Sequence, residues 1–156
     1  MITDPEARIV ELGLELPPAP EPRGLYRPIV VVDHIVYASG HGPVMNDGSL
    51  MKGRVGADLN RDQGKAAARQ VALAMLASLK REFTNLNRLR RVVKVLGMVN
   101  SAPDFYDHPF VINGFSEIFA ELFGPNNGIA ARSAVGMTLP ENIVVEVEAT
   151  FELKHV

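Results

Sequence analysis

Residues 143–153 alternate without a break. Ile143, Val145, Val147, Ala149, Phe151 and Leu153 fall on one side, with Val144, Glu146, Glu148, Thr150 and Glu152 between them. A period of two sustained over this length describes a β-strand with one face in a core and the other left uncovered by it. A candidate partner strand lies just upstream, in Ala130-Ala131-Arg132-Ser133-Ala134-Val135-Gly136. The connection through Leu139-Pro140-Glu141-Asn142 is short enough for a hairpin loop built around a turn. In an antiparallel pair with an even index sum, Arg132 shares a sheet face with Glu146 and Glu148 and lies opposite one of them. Two readings of that pair stay open. The guanidinium clamps a substrate carboxylate while a second group moves protons, or the two form a structural cross-strand ion pair. Spacing alone favours the second, because sheets often carry such pairs.

The rest of the chain supplies elements for one sheet and two helices. Residues 1–27 read as an N-terminal arm. Residues 6–16 can form a short helix with Ile9, Leu12 and Leu16 on one stripe, and Pro17-Pro18-Ala19-Pro20-Glu21-Pro22 forces an extended segment. Residues 28–156 read as the domain proper. Two short strands, 29–32 and 35–38, meet at Asp33-His34, and Asn46-Asp47-Gly48 signals a turn. Asn60 or Asp62 can cap a helix running to about Phe83, with an alanine-rich stripe through Ala67, Val71, Met75, Ser78 and Leu79 that Leu73 and Leu76 blur. Residues 91–99 are strand-like. Pro109 suits the first turn of a second helix to Phe123, buried through Val111, Phe115, Ile118, Phe119 and Leu122 and stopped by Gly124-Pro125. The expected fold is α+β: a single mixed sheet with two helices packed on one face. With only two helices to cover the sheet, the side carrying Glu146 and Glu148 faces water or another copy of the chain.

Composition removes several function classes. The 156 residues suit one domain, burying roughly two-thirds of the unfolded surface. No cysteine is present, which excludes disulfides, thiolate metal sites and thiol nucleophiles. His34, His41, His108 and His155 are scattered without paired ligand spacing, so no metal is expected. A net charge of −2 and only 6% aromatic residues argue against a nucleic-acid partner. No apolar run approaches a membrane span, and the acidic start lacks a basic-then-apolar leader, so a cytoplasmic protein without membrane attachment is expected.

Several blocks, in order, resemble the reactive intermediate deaminase family, also called Rid, YjgF or L-PSP endoribonucleases. They are Gly24-Leu25-Tyr26, Ala38-Ser39-Gly40-His41-Gly42-Pro43, residues 92–99 leading to Asp104-Phe105, Ile112-Asn113-Gly114-Phe115, Ala131-Arg132-Ser133, Leu139-Pro140 and Val145-Glu146-Val147-Glu148-Ala149. The resemblance implies a chorismate-mutase-like fold, a homotrimer with clefts between subunits, and no cofactor. It implies hydrolysis of small reactive enamines or imines, such as 2-aminoacrylate, to a 2-keto acid and ammonia. By the same resemblance, Arg132 holds the substrate carboxylate and Glu146 is the acid/base, with Tyr26, Ser39, Gly40 and Asn113 lining the cleft. Ala134 stands where the best-known members have cysteine, the stretch from Arg132 to Leu139 is one residue shorter, and the arm is longer, as in a distinct subgroup. The resemblance reverses the preference for a structural ion pair.

Taken singly, the remaining residues have plainer readings. Ser39 is as well explained as a turn residue as by a hydroxyl contact to ligand, and Asn113 sits opposite its helix's apolar stripe, as a solvated residue would. No histidine and acid accompany Ser39 at a spacing that would make it a hydrolase nucleophile. Two further functions compete with the deaminase: a non-catalytic binder or sensor of small keto or carboxylic acids, using the same cleft, and an endoribonuclease, which the charge disfavours.

Overall fold

The computed structural model describes residues 4–155. Five strands form one mixed sheet in the order β1-β2-β5-β3-β4. β1 (Ile29–Val32) and β2 (Ile35–His41) make the expected hairpin, with Asp33 at φ 53° in its tight turn. α2 (Arg61–Phe83) starts at Asn60 in a reciprocal capping box: Gln63 N donates to Asn60 Oδ1, and Asn60 N donates to Gln63 Oε1, each at 2.9 Å. β3 (Leu89–Val99), α3 (His108–Phe123), β4 (Ala131–Gly136) and β5 (Val145–Leu153) follow, with a single turn of helix, α4 (Pro125–Gly128), between α3 and β4.

α2 and α3 lie on one face of the sheet. The inward residues of β5, from Val145 to Leu153, join Val36, Val95, Val99, Phe115 and Phe119 in the main core. The alternation of β5 is therefore what the sequence pattern predicts. Its place in the sheet is not. β4 pairs in parallel with β3, Arg132 lying beside Val95, and β5 pairs antiparallel with β3 on the other side, Glu146 beside Met98 and Ala149 beside Val95. The β4–β5 hairpin does not form, and residues 137–144 carry the chain past the end of β3. Because Arg132 and Ala149 share the face of Val95, whereas Glu146 and Glu148 lie on the opposite face with Met98 and Leu96, Arg132 and Glu146 are on opposite sides of the sheet. The expectation that they share a face within one chain is corrected. β3 enters β4 through α3, and such a crossover favours a parallel pair; the alternation in β5 fixes its face but not its neighbour.

The arm also differs from expectation. Its helix, α1 (Pro5–Glu11), is capped by Asp4 and stops before Gly13, which adopts φ 62° and turns the chain. Ile9 is buried in the main core, and Leu12, Leu14 and Leu16 pack against it. The arm is thus laid on the helical layer. It is tied there by Lys80 to Glu6 at 2.8 Å and Arg81 to Glu21 at 2.7 Å. α2 is consequently buried on more than its sheet-facing side, which explains why Leu73 and Leu76 interrupt a one-sided stripe.

Candidate functional site

A cavity of about 790 Å³ opens on the uncovered side of the sheet, between β2, the Glu146 end of β5 and arm residues 18–26. Tyr26, Ser39, Gly40 and Glu146 line it. The strands do not pair evenly here. Ala38 faces Ala149 while His41 faces Val147, so β2 carries one extra residue, a bulge at Ser39–Gly40. The bulge brings the Gly40 backbone against Glu146. A Cβ on Gly40 would sit 2.9 Å from the Glu146 Cδ and Oε1, so only glycine leaves the carboxyl in place.

Buried His41, which also lines the cavity, pins the bulge from beneath. Its Nδ1 donates to the Ser39 carbonyl oxygen at 2.6 Å, leaving Nε2 to accept from the Ser78 hydroxyl of α2 at 2.8 Å. Burial lowers the His41 pKa, which keeps the ring neutral in this tautomer. The Ser39 hydroxyl donates to the Arg27 carbonyl oxygen at 2.6 Å, and the Tyr26 hydroxyl accepts from Arg23 N at 3.2 Å. Both hydroxyls thereby fasten the end of the arm along the cavity edge. Burial, and secondarily the Glu148 carboxylate, push the Glu146 pKa above its ordinary value of 4.5.

Arg132, Asn113 and Ala134 do not line this cavity. Arg132 lies along α3: Nη1 donates to Asn113 Oδ1 at 2.9 Å and to Ser116 Oγ at 3.1 Å, and Nη2 donates to the Pro109 carbonyl oxygen at 3.4 Å. All three acceptors are neutral. Ala134 pairs with Gly97 on the same helix-facing side and packs against the core. Asn113 is an orienting partner of the guanidinium rather than a free solvated residue. Ser116, one helical turn beyond Asn113, shares that task; its i+3 spacing was the available signal. The structure thus divides the candidate residues into an acidic half around Glu146 and a basic half around Arg132. Strand β3 lies between them, the two flanking strands being about 10 Å apart. Among the described residues, neither Glu146 nor Arg132 has an ion-pair partner within 4.0 Å.

Residues 6–149 match the family model described as "YjgF/chorismate_mutase-like, putative endoribonuclease". The chain belongs to the YjgF family. It is 37% identical to Protein TCP17 of Trypanosoma cruzi, over 96% of this chain and 94% of that protein. Among solved structures, it is similar to Atu1372 of Agrobacterium tumefaciens, a protein of unknown function, at 36% identity and a TM-score of 0.86, covering 96% of this chain and 94% of that one. It is also similar to a structure from Shewanella oneidensis titled "putative endoribonuclease", at 32% identity and a TM-score of 0.91, covering 96% of this chain and 99% of that one. These likenesses span the arm as well as the sheet, and the α+β architecture is that of the YjgF family. No helix among the described residues is long and apolar enough to cross a membrane, and none of their side chains form a cluster of three or more potential metal ligands.

Proposed function

We propose that the protein hydrolyses small enamine or imine acids to 2-keto acids and ammonia, in clefts formed between copies of a homotrimer. The observation that carries this reading is the pair of unmatched halves: a partly buried carboxyl with a raised pKa in a cavity, and a guanidinium held only by neutral groups on the opposite face. Within one chain the two cannot meet. A neighbouring copy that brings its β4 edge to the cavity supplies what each half lacks. Val30, Val32 and Tyr37, 44%, 54% and 50% exposed on the uncovered side of β1 and β2, are the kind of surface such an assembly covers.

The chemistry follows from the two groups. Arg132, oriented by Asn113 and Ser116, presents a planar fork to the substrate carboxylate. The enamine gains a proton at its terminal carbon and loses one from nitrogen to become the imine. Water then adds to the imine carbon. Glu146 takes a proton from the attacking water and gives it to the imine nitrogen, forming the carbinolamine. It then takes the hydroxyl proton and gives it to the same nitrogen as the carbonyl forms and the carbon–nitrogen bond breaks, so that ammonia leaves and the carboxyl is unchanged after each turnover. A raised pKa suits a group that both accepts and donates near neutral pH. The same lining weighs against RNA cleavage, because Glu146 and Glu148, which face the cavity without an ion-pair partner among the described residues, repel a phosphodiester.

Ammonia release from 2-aminoacrylate generated in the assay tests the proposal. Wild type is expected to accelerate release, and Arg132→Ala and Glu146→Gln to lower the rate by roughly 10²–10⁴-fold. Variants with undiminished rates would remove the mechanism. A wild type that binds keto acids without accelerating release would make the protein a small-acid binder.

A further inference from the structure

The cavity is larger and more apolar than a three-carbon substrate needs. We propose that its ligand carries a branched apolar substituent, held between the arm prolines Pro18, Pro20 and Pro22 on one side and Leu50, Met98 and Ile143 on the other. This rests on the α-imino acid reading above and narrows its substrate class. The cavity of a single chain measures about 790 Å³, and a neighbouring copy's β4 edge that took about half of it would still leave a space within the range of ligand pockets. The six non-hydrogen atoms of 2-aminoacrylate need only the space of a few water molecules, at about 30 Å³ each.

Three observations place the substituent. Met98, Leu139 and Ile143 form an apolar cluster separate from the main core, with Leu50 packed against it. Met98 is the cross-strand partner of Glu146, so apolar surface begins immediately beside the carboxyl. The facing wall is built from prolines, which offer rigid hydrocarbon surface without an N–H to satisfy.

That wall is fastened at two points. Arg81 pairs with Glu21 and donates to the Pro20 carbonyl oxygen at 3.2 Å. Arg23 Nη1 reaches both carboxylate oxygens of Glu141, at 2.7 and 2.6 Å. Glu141 and Asn142 both adopt the left-handed region, φ 54° and 57°, which asparagine tolerates and glutamate rarely occupies unless its surroundings hold it there. The holder is Asn100, buried at the end of β3, whose Nδ2 donates to Asn142 Oδ1 at 2.9 Å. The position of the wall is therefore set, through Glu141, by the end of the sheet. Arg23 and Glu141 are positioning residues for ligand size.

The test compares binding of two stable product-like acids, pyruvate and 4-methyl-2-oxopentanoate, by titration calorimetry. Each buried methylene strengthens binding about fourfold, so three additional carbons set a ceiling of about sixty-fold. Wild type is expected to prefer the branched acid by at least about tenfold. Arg23→Ala should bring the ratio towards one, and the exchanged pair Arg23→Glu with Glu141→Arg should restore most of it. The pair is exposed, and such pairs contribute little to stability, so its loss should loosen the wall without unfolding the chain. Equal affinities in wild type overturn the substituent assignment while leaving the α-imino acid reading standing. An unchanged ratio in Arg23→Ala overturns the part given to the arm. Branched-acid binding that survives Arg132→Ala undiminished counts against carboxylate capture and not against the apolar walls, and binding of neither acid overturns both.

Discussion

Glu146 sets a cost against a capability. It is held partly buried, beside Glu148 and against the Gly40 backbone, and its pKa lies above 4.5 in the folded chain. Between the unfolded value and that raised value, the folded chain keeps a proton that the unfolded chain releases. Stability associated with this group is therefore fully present below about pH 4.5 and is lost as pH rises through the folded pKa. Glu146→Gln, which cannot ionise, should melt higher than wild type at pH 7 by roughly 1–3 °C. The gap should close as pH approaches 4.5, while ammonia release falls. A thermal melt series from pH 4.5 to 7.5 on both proteins checks this; a variant that melts lower at pH 7 would mean that a neighbouring copy's Arg132 stabilises the carboxylate by more than burial and Glu148 destabilise it.

At the scale of elements, the two helices approach as closely as they do because α3 has Gly114 at the crossing. A Cβ there would collide with the backbone carbonyl oxygen of Lys65 on α2. Gly114→Ala gains about 1 kcal/mol of helix propensity but forces apart two packed backbones, an overpacking cost of about 1–3 kcal/mol or more. The clash should win, lowering the midpoint of urea unfolding at constant slope; a midpoint at or above wild type would show that the helices can separate freely. Elements of this kind were legible in the sequence where a local rule operates. The cap at Asn60, one of the two candidates, the turn at Asp33 and the alternation of β5 all depend on residues within a few positions of one another. Strand order does not. β4 and β5 both pair with β3, so the nearest strand in sequence was the wrong partner for Arg132. The Arg23–Glu141 contact joins residues 118 apart in sequence, and His41–Ser78 joins residues 37 apart. No spacing rule reaches that far.

For the whole molecule, the division of the candidate residues is the central fact. The family blocks named the residues, but they could not say that one sheet separates the acid from the base. The covered face of the sheet holds Arg132 with Asn113 and Ser116, and the uncovered face of the same short chain holds Glu146 in its cavity. The closed ring of identical copies proposed above would answer this geometry, each copy lending its β4 edge to the cavity of the next. Mixing subunits tests it directly. Arg132→Ala and Glu146→Gln, each inactive alone, are co-expressed with different tags and the mixed oligomers purified. With clefts between copies, every mixed trimer, whether 2:1 or 1:2, holds one cleft in three that draws both intact residues from different subunits, so ammonia release should return to about a third of the wild-type rate. Mixed oligomers that form but stay as inactive as either parent would contradict the account.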